Sequence, residues 1–262
     1  MARRCQDRGA AVTVEGPRPV TRVSRRILIS GGTGGIGRAC AERLVASGDR
    51  VWVLGSSEER VGAVRERLAL AGASVCDVAS SDAVDSAVGD VAGALGQLDG
   101  VFVNAGIDGL GVPAAEIDPE HFRRVLEVNV IGAFLVARAA LRILARPGAI
   151  VFNASVNAIR PERNFLDYNA SKAAVVSMAK TLALEVSGEG VTVTALCPGY
   201  FPTAMTESYL SDETTRREIL AGVPAGRTGE LSEIAAVVDF LLGADAAYMT
   251  GSVVSIDGGS SI

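Results

Sequence analysis

Seven short apolar runs alternating with helical patterns constrain this chain more than any other feature. The runs are RILIS (26–30), RVWVL (50–54), ASVCD (73–77), DGVFVN (99–104), AIVFNA (149–154), VTVTAL (191–196) and SVVSI (252–256). Helical periodicity occupies 36–47, 57–70, 82–95, 119–146, 169–187 and 231–243. Runs rich in Val and Ile without polar alternation are buried on both faces, as parallel strands are. Their repetition with helices builds βαβ units and predicts an α/β fold, a doubly wound parallel sheet of about seven strands with helices on both faces. No linker or change of composition divides the chain, so one domain is expected over 25–262. The Arg- and Pro-rich segment 1–24 is expected to be a disordered tail. It lacks the apolar stretch of a signal peptide, and Asp7, Glu15, Pro17 and Pro19 argue against an amphipathic presequence.

Composition removes several classes of function. The chain is 48% hydrophobic and 21% charged, an ordinary proportion for a chain that buries a large core. Its formal net charge is -5 and it has no basic stripe, so no nucleic-acid partner is expected. No apolar run approaches the ~20 residues that span a bilayer, so no membrane is expected either. The cysteines Cys5, Cys40, Cys76 and Cys197 are scattered and form no CxxC pair, which fits a reducing cytoplasm. His121 is the single histidine, which leaves little from which to build a zinc site or a Ser-His-Asp triad, so no metal is expected. His121 reads as a surface residue of a helix, and Cys197 as a small apolar residue.

The first strand runs into SGGTGGIGRA. Gly31, Gly35 and Gly37 give the spacing GxxxGxG between a strand and a helix. Such glycines let the backbone turn tightly and approach a pyrophosphate, which then meets the free N–H groups and positive end of the following helix. The loop is not a Walker loop, because Arg38 rather than Lys follows Gly37. A dinucleotide and a Rossmann-type fold are expected, although a merely tight strand–helix turn would use the same residues. A second feature is DYNASKAAV, residues 167–175, which sets Tyr168 and Lys172 one helical turn apart. Lys172 is one of only two lysines, with Lys180, in a chain whose default cation is arginine. A nearby ammonium favours a phenolate and lowers a tyrosine pKa from about 10. A solvated lysine on an amphipathic helix is the competing reading.

Taken in order, these motifs resemble those of the short-chain dehydrogenase/reductases over about residues 25–262, and the ending YMTGSVVSIDGG is similar to that of bacterial 3-oxoacyl-acyl-carrier-protein reductases. SGGTGGIG is similar to the family's TGxxxGxG with Ser30 in place of Thr, and the resemblance implies cofactor contacts from Gly31, Thr33, Gly34, Gly35, Ile36 and Gly37. It further implies an adenine-side pair, Asp77 and Val78, and a segment steadying the sheet beside the cofactor, Asn104, Ala105 and Gly106. Pro198, Gly199 and Thr203 of PGYFPT are implied beside the nicotinamide. Ser155 lies thirteen residues before Tyr168, the separation usual in the family. The implied catalytic set is Asn129, Ser155, Tyr168 and Lys172. In it Tyr168 exchanges a proton with the substrate oxygen, Ser155 polarises that oxygen, Lys172 binds the nicotinamide ribose, and Asn129 holds a relay water by kinking its helix. Taken singly, Ser155 reads equally well as a strand end, Asn129 as a polar helix residue and Tyr168 as a core aromatic.

The cofactor's identity is read at the end of the second strand. NAD-preferring relatives place an acid there for the ribose hydroxyl. Here the position holds Gly55, followed by Ser56 and Ser57, with Arg38 and Arg60 nearby. The absent carboxylate points to NADP, with NAD as the alternative. The usual NADP cations are also missing, since Gly34 and Ser56 occupy their places. Phe165, Tyr200, Phe201, Met205 and Tyr209 are expected to line a site for a hydrophobic or carrier-bound ketone, although packing roles would use the same residues. The resemblance also implies a homotetramer, or at least a dimer, through the apolar 119–146 and 169–187 patterns. The competing functions are an NAD-dependent alcohol dehydrogenase working oxidatively and a non-catalytic NAD(P)-binding regulator.

Overall fold

The computed structural model describes residues 23–262. The expected tail, apart from Val23 and Ser24, lies outside the described residues. The strands are β1 (Arg26–Ser30), β2 (Arg50–Gly55), β3 (Gly72–Val75), β4 (Leu98–Val103), β5 (Leu144–Asn153), β6 (Val191–Pro198) and β7 (Val253–Ile256). They form one sheet in the order β3-β2-β1-β4-β5-β6-β7, and every adjacent pair is parallel. The winding reverses between β1 and β4, which opens a crevice at the carboxyl ends of those strands.

The alternation of side chains along each strand divides the core into two layers. Leu28, Val101, Ile150 and Phe152 face one side, where α3 (Ser81–Leu95), α5 (Gly132–Leu141) and α6 (Leu166–Val186) pack. Ile27, Ile29, Phe102 and Val151 face the other, against α1 (Gly35–Ala46), α2 (Glu58–Arg67) and α9 (Leu231–Leu241). Both faces are covered, so Ile27, Leu28 and Ile29 are all fully buried and the strand reads as an unbroken apolar run.

The helical pattern expected over 119–146 is not one helix. It comprises α4 (Pro119–Leu126), a π turn at Glu127–Ile131 and α5, and the chain enters β5 at Leu144. The amide of Gly132 bonds to the carbonyl of Glu127, so the ladder widens by one residue around Asn129. β5 therefore starts before the expected strand at 149, and its pairing with β4 shifts register between Leu98 and Gly100. Two helices absent from the sequence reading, α7 (Glu207–Leu210) and α8 (Glu213–Ala221), follow β6. Asp212 caps α8 by accepting from the Thr215 amide at 2.8 Å, a local signal available in the sequence SDETT.

Candidate active site

The glycine loop is shaped by close approach. Gly31 has φ +67°, and a Cβ on Gly37 would stand 2.2 Å from the Gly31 carbonyl oxygen. Gly34 precedes α1 in extended conformation and supplies no side-chain cap, so the first amides of α1 are left to an outside acceptor. Ser30 and Asn104 tie this loop to β4. The Ser30 hydroxyl accepts from the Asn104 and Ala105 amides at 2.9 and 3.2 Å. The Asn104 side-chain amide donates to the carbonyls of Ser30 and Gly31. Gly31 and Gly37 let the loop pack this closely, since a Cβ on either would collide with Asn104 and neighbouring backbone, and the uncapped amides that begin α1 fit a dinucleotide pyrophosphate.

The other expected cofactor residues ring the crevice. Thr33 and Ile36 lie within the loop and its helix. Thr203 meets the loop from the far side, its methyl 3.2 Å from where a Cβ on Gly35 would be. Pro198 ends β6, and Gly199 bonds to Ile256 across the sheet edge. Asp77 is exposed and accepts from the Ala79 amide, while Val78 is buried beside Gly132. Gly106 backs onto Lys172, whose Nζ would lie 3.4 Å from a Cβ there.

The β2–α2 turn differs in detail from the expectation. Ser57 caps α2 and accepts from the Arg60 amide at 3.4 Å, while Ser56 is exposed. Gly55 is not in the left-handed region; a Cβ on it would meet the Thr33 methyl at 2.4 Å. Arg38 is engaged by Glu42 at 3.4 Å.

Ser155 follows β5, Tyr168 and Lys172 lie on α6, and Asn129 sits in the π turn. Lys172 is buried and donates to the Asn153 carbonyl at 2.9 Å, with its Nζ 5.5 Å from the centre of the Tyr168 ring. Burial lowers its ammonium to about 8. Burial, followed by the Asp108 charge, pushes the Tyr168 phenol well above its ordinary value, against a lowering hydrogen bond from Ser155. Tyr168 is therefore raised where a lowering by Lys172 was expected, and burial is the largest cause. The Asn129 side chain is also fully employed. It accepts from the Ile107 amide at 2.8 Å and donates to the Ile107 carbonyl and the Ser171 hydroxyl. Backbone opened by the π turn and the second lone pair of Oδ1 are the positions left for a water.

Several polar residues around the site were given no role in it from the sequence. Asp167 is fully buried and accepts from the amides of Tyr168 and Leu110. His121, expected at the surface, is half-buried with Nε2 3.6 Å from Asp167. Asn153 donates to Asn104, and Asn169 to the Glu162 carbonyl, so both asparagines are tied into the site. The Cys197 thiol is buried against the Ser155 amide and pushed up by burial, which suits a packing role. No single-residue spacing marks the contacts of Asp167 with Leu110 and His121 or of Asn153 with Asn104, because these join segments distant in sequence.

Beside Tyr168 opens a cavity of about 670 Å³. Phe165, Tyr200, Met205 and Tyr209 line it as expected. Phe201 does not: it is buried in the core with its ring over Gly229. The wall also carries Asp108 and Glu162, so it is more polar than the aromatic residues alone suggest.

Residues 31–261 match the sequence profile of a family described as Enoyl-(Acyl carrier protein) reductase. The chain is 38% identical over 251 residues to the 3-oxoacyl-acyl-carrier-protein reductase MabA of Mycobacterium tuberculosis, covering 95% of this chain and 97% of that protein. A structure of actinorhodin polyketide ketoreductase with NADPH superposes with a TM-score of 0.86 at 32% identity, covering 91% of this chain and 97% of that one. The 3-ketoacyl-(acyl-carrier-protein) reductase of Brucella melitensis, solved with NADH, gives 0.84 at 30% identity, with coverages of 91% and 98%.

Proposed function

This chain belongs to the short-chain dehydrogenase/reductase family, and from that premise we propose that it reduces a ketone to a secondary alcohol, taking the hydride from NADPH. The convergence of Tyr168, Ser155 and Lys172 between the glycine cradle and the cavity carries this reading. When bound, the dinucleotide supplies the hydride. Gly31, Thr33, Gly34, Gly35, Ile36, Gly37 and the first amides of α1 hold its pyrophosphate. Asp77 and Val78 flank the adenine, and Asn104, Ala105 and Gly106 form the floor. Pro198, Gly199 and Thr203 close the nicotinamide end. Ser155 orients the carbonyl oxygen and Tyr168 gives it a proton. Burial keeps the phenol in its protonated form, so Tyr168 enters the reaction as the group that carries the proton. Lys172 binds ribose hydroxyls as an ammonium, and the Asn129 π turn holds a water that returns a proton.

NADPH is preferred over NADH because no carboxylate stands at Gly55 to repel a 2′-phosphate, and Ser56 leaves its hydroxyl exposed beside the α2 N-terminus. The names of the similar reductases support a carrier-bound acyl ketone as substrate, and the cavity also admits a free hydrophobic ketone. We place the catalytic unit in one domain over 25–262, in the cytoplasm, as a homotetramer or at least a dimer. Among the described residues no helix is long and apolar enough to cross a membrane. Exposed Ile131, Phe134 and Leu184 around α5 and α6 support self-association. The test is NADPH and NADH oxidation across a panel of carbonyl compounds. Turnover of ketones with NADPH is expected; its absence with either cofactor across the panel would overturn the reductase reading.

A further inference from the structure

The segment that follows Gly106 is fastened at three successive points. Asn129 brackets the peptide groups of Ile107 at 2.8 and 2.9 Å. Asp108 accepts from the Tyr209 hydroxyl at 2.7 Å, joining residues 101 positions apart. Leu110 donates to the buried carboxylate of Asp167 at 3.2 Å. The segment lies directly on the proton donor: a Cβ on Gly109 would stand 3.1 Å from Tyr168 Cβ. Asp108 is thus a fixed carboxylate in the wall of the cavity that Tyr168 also lines.

A carboxylate offers about four acceptor positions. Those of Asp108 receive the Gly109 amide on Oδ1 at 2.9 Å and the Tyr209 hydroxyl on Oδ2 at 2.7 Å. Among the described residues no cation pairs with it. Of the wall's two arginines, Arg160 and Arg163, Arg160 donates to the Ser260 carbonyl at 2.6 Å. Burial raises the Asp108 carboxyl, against the lowering bond from Tyr209. The remaining acceptor positions belong to a carboxylate in the cavity wall, where a donor on the ligand can bond to it.

We propose that Asp108, braced by Tyr209, is a specificity-determining residue that selects ketones bearing a hydroxyl or ammonium donor close to the reacting carbonyl. This rests on the reductase reading and narrows it, favouring a ketone with a donor beside the carbonyl over a plain 3-oxoacyl thioester. The rest of the substrate lies along Phe165, Met205 and Ile219, whether it is free or attached to a carrier. A free β-oxo acid is disfavoured, because its carboxylate would meet that of Asp108. A site built to bond a hydroxyl rejects the analogue that lacks it more strongly than an apolar pocket separates homologues.

The test compares isosteric ketones in which CH2OH replaces CH2CH3, beginning with hydroxyacetone against butanone and continuing to longer alkyl chains. Wild-type enzyme is expected to favour the hydroxy ketone in kcat/KM by about tenfold or more. Asp108→Asn is expected to bring that ratio towards one and to raise the relative kcat/KM for a β-oxo acid. Tyr209→Phe removes the brace but leaves the carboxylate, so it is expected to retain a preference for the hydroxy ketone. NADPH binding and a thermal melt check each variant. Equal kcat/KM for both members of the pairs in wild type, with ketones still reduced, would overturn the subsite and leave the reductase reading standing. Loss of the preference in Tyr209→Phe as complete as in Asp108→Asn would overturn it in favour of loop ordering. Failure to reduce any ketone would overturn both.

Discussion

At the scale of single residues, Tyr168 and Lys172 are both driven towards their neutral forms by the same burial. The phenol is held protonated, and the ammonium is lowered to about 8. Tyr168→Phe keeps the ring and removes the transferable proton. Turnover is expected to fall by about 10²-fold or more while NADPH still binds, as read by steady-state kinetics and cofactor fluorescence. Near wild-type turnover would remove Tyr168 from the mechanism. Lys172 predicts a pH dependence whose sign follows from its lowered value. Below about 8 it is an ammonium; above that it loses the charge that holds the ribose. The free-enzyme profile of kcat/KM should therefore decline as pH rises through about 8. An unchanged kcat/KM across that pH would contradict the role given to Lys172. Tyr168 and Lys172 were legible from their spacing on one helix face, but their charge states were not. Those depend on Asp108 and on burial, which no local pattern encodes.

At the scale of elements, the β2–α2 turn is where the proposed choice of cofactor can be tested. A direct exchange at Gly55 is blocked sterically, because any Cβ collides with the Thr33 methyl at 2.4 Å. Ser56 is exposed and carries the same test without that clash. Ser56→Asp is expected to weaken NADPH binding by about tenfold or more, with NADH affected less, since like charges in a weakly screened cleft repel by about 1–3 kcal/mol. Fluorescence titration with both cofactors reads the outcome, and equal loss of the two would misplace the ribose pocket. The glycine spacing announced the loop, but the dual duty of Ser57 as a helix cap emerged only with the turn folded. The helix broken at Asn129 was hidden for a related reason. Residues 119–146 are helical by composition throughout, and the π turn forms where Asn129 must reach both Ile107 and Ser171. Such a turn is specified by contacts outside its own segment.

At the scale of the whole molecule, the sheet's central strands carry stability and the outer faces of α5 and α6 are the proposed surface of assembly. Phe152 is 1% exposed between β4 and β6, and Phe152→Ala is expected to cost about 3–5 kcal/mol in denaturant unfolding. Leu184 is 84% exposed on α6, an apolar side chain that a second copy would cover. Light scattering at micromolar concentration is expected to give a dimer or tetramer, and a monomer would contradict self-association. The order and type of the seven strands were legible because both sheet faces are buried, which writes each strand as an apolar run. The glycine loop and the four polar residues of the candidate catalytic set were legible because their spacings are local or resemble a family's. The short α7 and α8 over the cavity were missed because neither buries a periodic apolar face. Sequence alone thus determined the parallel α/β architecture and the place of the cofactor crevice, both consequences of hydrophobic pattern and backbone geometry. Tertiary structure decided which groups meet inside that crevice. The pairing of Asp108 with Tyr209, the burial of Asp167 and the raised phenol of Tyr168 arise through space, between segments whose separation along the chain carries no periodic signal.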